Sequence, residues 1–220
     1  MNSVPFEPYD FFGYLASGLV VVLGMDLTFG FPHVLGRDLK LVDGAVLLLG
    51  TYVAGQIAAT PAKALLEYGL VGKILGRPSV NLFREKVPWV RRLSFPDFYK
   101  PFPKHIREKI LSRAESEGVR GTGETLFLHV RYSPDILQNE KLMQKMNSFL
   151  NQYGFARNLA FTSLAVGIAW ITKAKLHPDP QLIRYAITAL VTAALLLYRY
   201  LKFFRQYSYE MFNTYGGSGT

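Results

Sequence analysis

The segment GAVLLLGTYVAGQIAATPAKALL (residues 44–66) decides how this chain folds. It carries no charged side chain before Lys63, and it exceeds the roughly 20 mainly apolar residues that a helix needs to cross a bilayer. A helix forms its backbone hydrogen bonds within one such segment, which no other secondary structure made of a single segment can do in lipid. We therefore predict a membrane-spanning helix here.

Three further apolar segments have the same character. They are FFGYLASGLVVVLGM (11–25), LAFTSLAVGIAWIT (159–172) and YAITALVTAALLLYRYL (185–201). The first and second of these are short, and buried core helices of that length are the alternative. Half of the 220 residues are hydrophobic, and 19% are charged, below the soluble-protein average of about 25%. We predict an all-α membrane protein with four transmembrane helices and a helical cytoplasmic domain inserted between the second and third.

Charge is distributed unevenly between these segments. Residues 66–158 hold 16 of the 25 Lys and Arg but only nine acids, a net charge of +7. Basic segments stay on the cytoplasmic side, and an even number of spans then places both termini there too. We predict an N-terminal transmembrane pair (1–75), a basic cytoplasmic domain (76–145) and a C-terminal transmembrane pair with a juxtamembrane helix (146–215). The last five residues, GGSGT (216–220), have the composition of an added linker.

The middle region has helical signals of its own. Residues 103–118 place Ile106, Ile110, Leu111 and Ala114 on one face, begin with proline and stop at a glycine. The stretch 121–133 is compatible with either a helix or a strand. A further helix is expected from Ser133 and Pro134 to 154, continuing directly into the third span.

The C-terminal end of the fourth span, LLLYRYLKFFRQYS (195–208), mixes cations with aromatic rings. Such a composition is typical of a membrane-exit anchor, where rings lie at the headgroup level and cations meet anionic lipid. We favour this interpretation. The alternative is a helix that continues beyond the membrane and packs against the middle region.

No catalytic or metal-binding pattern is present. The four histidines fall in separate segments, there are no cysteines, and no phosphate-binding glycine loop occurs. The acids Glu108, Glu115 and Glu117 lie on a charged helix and are interpreted as solvated. We expect neither enzyme activity nor a metal or other cofactor.

The segment 84–113 instead indicates an anionic ligand. Cations interleaved with aromatic rings suit single-stranded nucleic acid, because phosphates meet the charge and bases stack on the rings. A basic patch lying on anionic lipid suits the same residues, and the sequence alone favours it. The candidate ligand-binding residues are Arg91, Arg92, Lys100, Lys104, Arg107, Lys109, Arg113, Trp89 and Tyr99.

Polar and small residues inside the spans raise two further questions. Gln56 and Thr60 lie one turn apart and are candidate pore-lining residues, while the small-residue pairs 54/58 and 55/59 favour ordinary close packing of helices. Arg157 opens the third span, as an interfacial anchor or as a partner for Glu67. Four mainly apolar spans give too little wall for a wet pore, so we expect a homo-oligomer. A tetramer is the size that we expect, on grounds separate from this argument.

Four stretches carry a resemblance to a known family. They are YDFFGYLASG (9–18), YVAGQIAATPAKALLEYGLVGKILGRPS (52–79), FLNQYGFARNLAF (149–161) and LLYRYLKFFRQYSYEMF (196–212). Together they resemble the membrane effector of the Hailong anti-phage defence system, a bacterial membrane protein encoded beside a nucleotidyltransferase.

The resemblance implies a multi-pass protein of the bacterial inner membrane. It implies an ion channel that a single-stranded DNA oligonucleotide from the partner nucleotidyltransferase holds closed, and that opens during infection to depolarise the cell and arrest growth. No motif transfers individual ligand residues. The alternative function is a non-channel membrane scaffold or sensor, whose basic domain recruits a cytoplasmic partner or anionic membrane lipids.

Overall fold

The computed structural model describes residues 8–30 and 40–217. It is 83% helical, and no strand occurs in the described residues. The helices are α1 (Pro8–Phe29), α2 (Leu41–Ala62), a π-helix (Lys63–Leu75), α3 (Pro78–Asn81), α4 (Trp89–Ser94), α5 (Lys104–Ser116), α6 (Glu124–Arg131), α7 (Pro134–Leu137), α8 (Glu140–Leu176) and α9 (Pro180–Gly217).

Four helical stretches are long and apolar enough to cross a membrane: Phe11–Phe29, Leu41–Asn81, Glu140–Leu176 and Pro180–Gly217. The prediction of an all-α chain with four apolar spans is confirmed. Within the most apolar 18 residues of the first stretch, only 28% of the residues are buried, and within those of the third stretch only 33% are. These helices are therefore too exposed to be ordinary core helices.

The chain divides into two compact units. Unit 1 comprises Met1–Tyr68 and Gly154–Tyr200, and unit 2 comprises Gly69–Tyr153 and Leu201–Thr220. All three of the divisions fall inside helices: within the π-helix, within α8 and within α9. Gly216 and Gly217, which were assigned to a linker, belong to α9, and residues 218–220 lie outside the described part.

Unit 1 packs its helices through small residues. A Cβ added at Gly55 of α2 would lie 1.8 Å from the carbonyl oxygen of Tyr14 in α1, and one at Gly18 would lie 1.7 Å from that of Thr51. Only glycine permits backbones to come this close, as at small-residue crossings in membranes. Gly55 and Ala58 are buried, so the close-packing interpretation of the 55/59 and 54/58 pairs holds on this face.

The long second helix changes geometry in its middle. Pro61 cannot donate a backbone hydrogen bond, and its ring crowds the carbonyl four residues earlier. The π-helix begins two residues later and ends at Leu75, and the next residue, Gly76, has a positive φ of 84° that suits glycine. The buried amide of Asn81 donates to the carbonyl oxygens of Leu75 (3.3 Å) and Gly76 (2.9 Å), which satisfies the end of the helix.

Unit 2 has a hydrophobic core built from α5, α6, the start of α8 and the end of α9. Ile110 and Ala114 are buried, and Ile106 and Leu111 pack against them, so the predicted helical face is confirmed. The ambiguous stretch 121–133 forms the helix α6. The core residues are Leu82, Phe83, Phe102, Ile110, Ala114, Leu126, Val130, Ile136, Leu142, Met146, Tyr207, Met211, Phe212 and Tyr215.

The end of α9 corrects the favoured interpretation of the 195–208 segment. Tyr207, Met211, Phe212 and Tyr215 are all buried in the core of unit 2, and the ring of Phe212 meets that of Phe83 edge-on at 5.0 Å. The helix thus continues past the span and packs against the middle region, which was the less favoured alternative. The same aromatic residues that suit a headgroup layer also suit a protein core, because both bury the ring.

The predicted helix from Ser133 is broken in two. The α7 helix stops at Leu137, and α8 begins at Glu140 and then runs unbroken into the third span, as expected. Asn139 causes the restart, because its Oδ1 accepts a hydrogen bond from the backbone N–H of Leu142 at 3.0 Å.

Candidate ligand-binding surface and membrane-embedded polar residues

The exposed cations of the predicted ligand-binding set lie on α4, on the loop after it and on α5. Arg92, Lys100, Lys104 and Lys109 are exposed, and Arg91 is half-buried. Lys104 pairs with Glu108 at 3.8 Å, but both side chains are more than 60% exposed, so the pair is weak. We call these five residues together with Trp89 the basic surface.

The α4 helix presents two large apolar side chains to the exterior. Trp89 and Leu93 are each 75% exposed, and they lie one helical turn apart. Exposed rings and aliphatic side chains on a short helix that also carries Arg91 and Arg92 can stack on a base or enter a lipid interface.

Tyr99 is not available to a ligand, contrary to the expectation. It is 2% exposed, its ring meets Phe98 edge-on at 5.1 Å, and its hydroxyl donates a 3.0 Å hydrogen bond to the carbonyl of Leu75. Burial raises the pKa of Tyr99 despite the nearby cations Arg91 and Arg84, so the phenol stays a neutral donor. Its role is to cap the π-helix, and no local sequence signal distinguishes this from a stacking role.

Arg107 and Arg113 are engaged within the protein. Arg107 forms an ion pair with Glu85, which lowers the pKa of that carboxyl group. Arg113 pairs with Glu117 at 2.9 Å and with Asp135, and it also donates to the backbone carbonyl of Tyr215 at 2.6 Å. Both guanidinium groups therefore hold the fold of unit 2, and we omit them from the basic surface.

The interactions of Arg113 extend into a network that the sequence did not indicate. Glu117 accepts a hydrogen bond from the hydroxyl of Tyr215 at 2.8 Å and lies 2.6 Å from Nε2 of His129. Burial alone would raise the pKa of Glu117, but the hydrogen bonds from His129, Arg113 and Tyr215 lower it to about 2. Glu108, Glu115 and Glu117 are all exposed as expected, but Glu117 differs from the other two because it is also hydrogen-bonded to three side chains.

An ion pair lies among the apolar helices of unit 1. Arg157 Nη1 is 2.6 Å from Glu67 Oε2, and their side chains are only 11% and 19% exposed. Arg157 also donates to Oδ1 of Asn158, through Nε at 3.1 Å and Nη2 at 3.0 Å. Of the two interpretations of Arg157, the partner for Glu67 is confirmed. A paired charge at this place marks a functional region in many membrane proteins.

Gln56 and Thr60 are exposed on α2, on the side away from the buried Gly55 and Ala58. The amide of Gln56 donates to the hydroxyl of Tyr52 at 2.8 Å, so part of its polarity is satisfied within the helix. Their pore-lining role stays a prediction.

Within residues 8–30 and 40–217, no three His, Asp or Glu side chains come close enough to hold a metal ion. His33 lies outside the described residues. Comparisons of the chain with known protein families, curated proteins and solved structures found no match.

Proposed function

We propose that this chain is one subunit of an oligomeric ion channel in the bacterial inner membrane. A nucleic-acid or nucleotide ligand on the basic surface closes the channel, and loss of the ligand opens it, depolarises the membrane and arrests growth. Anti-phage defence is the setting that the resemblance suggests, with a partner nucleotidyltransferase as the source of the ligand.

The observation that best supports an oligomeric channel is the exposure of the second and fourth spanning stretches. Within the most apolar 18 residues of each, only 17% of the residues are buried within the chain. Large faces of α2 and α9 are therefore open to lipid or to other copies of the chain. Several copies, and four in our proposal, supply the wall that one chain lacks.

The orientation follows from charge. The excess of Lys and Arg between the second and third spans favours a cytoplasmic position for unit 2, with both termini on that side. A cytoplasmic nucleic-acid ligand would then have direct access to Arg92, Lys100, Lys104 and Lys109.

The basic surface suits a short single strand better than a duplex. Its exposed cations can meet several phosphates, and Trp89 offers one ring, on which a stacked base gains about 1–3 kcal/mol. With Tyr99 buried, a second stacked base has no comparable partner in the predicted set.

The second candidate function is a non-channel scaffold or sensor. The equal 75% exposure of Trp89 and Leu93 specifically favours it, because an apolar pair flanked by arginines inserts readily into an anionic lipid interface. The same surface could then recruit or orient the protein without any pore.

The test uses the full-length protein in nanodiscs and liposomes made of zwitterionic lipid. Single-stranded oligonucleotides are compared with polyphosphate of equal charge, and conductance is recorded with and without ligand. We expect oligonucleotide to bind more tightly than polyphosphate and to suppress conductance. If polyphosphate binds equally well, the surface is only an electrostatic anchor, and a protein that never conducts is a scaffold or sensor.

Two sets of variants make the comparison quantitative. Replacing Arg92, Lys104 and Lys109 together by alanine should reduce the slope of log affinity against log salt by about 2, at about 0.7 per lost phosphate contact. The control replaces three exposed cations elsewhere in unit 2, Arg120, Arg131 and Lys141, which changes net charge equally and should leave the slope unchanged.

Trp89→Leu separates the two ligand classes. Leucine keeps an apolar side chain for a lipid interface but removes the ring on which a base stacks. We expect Trp89→Leu to lose oligonucleotide affinity and to retain binding to anionic vesicles. The reverse result would favour the scaffold or sensor.

A further inference from the structure

The polar side chains in the apolar part of α9 lie on one face of the helix. Gln181, Arg184, Thr188, Thr192 and Arg199 follow one another at intervals of three, four, four and seven residues, which keeps them within one narrow sector of an α-helix. All five are exposed.

The other faces of α9 are apolar and differ in their surroundings. Leu182, Ala186 and Ala193 are buried within unit 1, on the side opposite to the polar face. Ile187 and Val191 are 55% and 54% exposed and lie beside it, in the manner of lipid-facing residues. The helix is thus divided into a packed face, a lipid-like face and a polar face.

The arginines show why the polar face needs water. The Cα atoms of Arg184 and Arg199 are separated by about 22 Å along the axis, at 1.5 Å per residue, which is less than the roughly 30 Å thickness of a hydrocarbon core. At least one of the two arginines therefore has its Cα atom within the depth of the lipid tails, where a charge is costly unless it faces protein or water.

The threonines are compatible with that environment. The hydroxyl of Thr188 donates to the carbonyl of Arg184 at 3.0 Å, so its donor is satisfied, while its oxygen lone pairs stay free to accept from water. Leu195, 68% exposed, interrupts the polar face between Thr192 and Arg199. Apolar constrictions of this kind gate pores by expelling water.

We infer that this face of α9 lines the conduction pathway, with α9 helices from several copies of the chain around it, and that the pathway selects anions. The charge of the conducted ion follows from the charges on this helix. No acidic residue occurs between Asp179 and Glu210, whereas Arg184, Arg199 and Lys202 are basic. Rings of basic side chains mark anion-conducting pores. The inference rests on the proposed channel function and places the pore on α9 rather than on Gln56 and Thr60.

The absence of cysteine from the chain permits a direct test. Thr188→Cys and Thr192→Cys are compared with Ile187→Cys and Val191→Cys, which lie at matching depths on the same helix. Each variant, in liposomes without oligonucleotide, is exposed to membrane-impermeant anionic and cationic thiol reagents. We expect the two threonine positions to react and to lose conductance, with the anionic reagent faster by about tenfold, and the two control positions to stay unreacted.

Selectivity is measured independently as the reversal potential in a KCl gradient. The current through the parent protein should reverse sign near the equilibrium potential of chloride. The double variant Arg184→Glu and Arg199→Glu should shift toward the potassium potential, and the matched Arg184→Lys and Arg199→Lys variant should not.

The outcomes distinguish the two proposals. If the parent conducts but residues 187 and 191 react while 188 and 192 are protected, α9 does not line the pore in this register, and the channel function still holds. If the parent conducts cations, the anion assignment is wrong. If no conductance occurs and all four positions are protected, both the channel and the pore-lining face are refuted.

Discussion

The crossing of α1 and α2 gives the sharpest stability prediction. At Gly55 an added Cβ would stand 1.8 Å from the carbonyl oxygen of Tyr14, whereas real Cβ contacts stay above 3.0 Å. The obstacle is backbone and cannot rotate away, so Gly55→Ala must move α1 and α2 apart by about 1 Å or more. A gap of about 0.5–1 Å already forfeits a quarter to a half of the dispersion energy across a contact.

Overpacking of this kind costs about 1–3 kcal/mol. We expect Gly55→Ala to lower the free energy of unfolding by at least that amount in a denaturant titration of the protein in mixed micelles. The control is Gly50→Ala on the same helix, where nothing lies within 4 Å of the added Cβ and the better helix propensity of alanine is the only effect. If Gly55→Ala is as stable as Gly50→Ala, α1 and α2 do not cross as described.

Two further predictions concern charged groups. Arg157→Leu or Glu67→Leu alone should destabilise the protein by about 3–5 kcal/mol, because each leaves a buried charge without its partner. The double variant should recover most of this loss of stability. A double variant whose loss of stability equals the sum of the two single losses would contradict the pairing. Glu117, with a pKa lowered from 4.5 to about 2, stabilises the folded state above pH 4.5 and loses that contribution as the pH falls toward 2. The stability difference between the parent and Glu117→Gln, about 1 kcal/mol once the exposure of the side chain is discounted, should therefore shrink over that range, and a constant difference would refute the network.

The sequence predicted the features that depend on periodicity. The four apolar spans and the buried face of α5 follow from side-chain spacing along single helices, which local sequence determines. The pairing of Arg157 with Glu67 was one of two interpretations, because a charge at the start of a span needs either a headgroup or a partner.

Features that depend on distant contacts were missed. Tyr99 and Tyr215 have the same local character as exposed aromatic residues, yet one hydroxyl donates to Leu75 and the other to Glu117. Both partners are separated from them by more than twenty residues of sequence. Aromatic residues near cations are thus ambiguous, since burial in a core and exposure to a ligand require the same residue types.

The discontinuity of unit 2 has a consequence for biosynthesis. Its core needs Tyr207, Met211, Phe212 and Tyr215 from α9, but its other core residues end at Met146, and the whole of 154–200 must be made in between. At about 5–20 residues per second, a ribosome takes about 3–13 s to pass from Gly154 to Gly217. During that interval the nascent segment lacks its last helix and exposes the apolar surface that this helix later covers. A message truncated before codon 207 would release a chain with all four apolar segments but no complete core in unit 2, a natural substrate for membrane quality-control proteases.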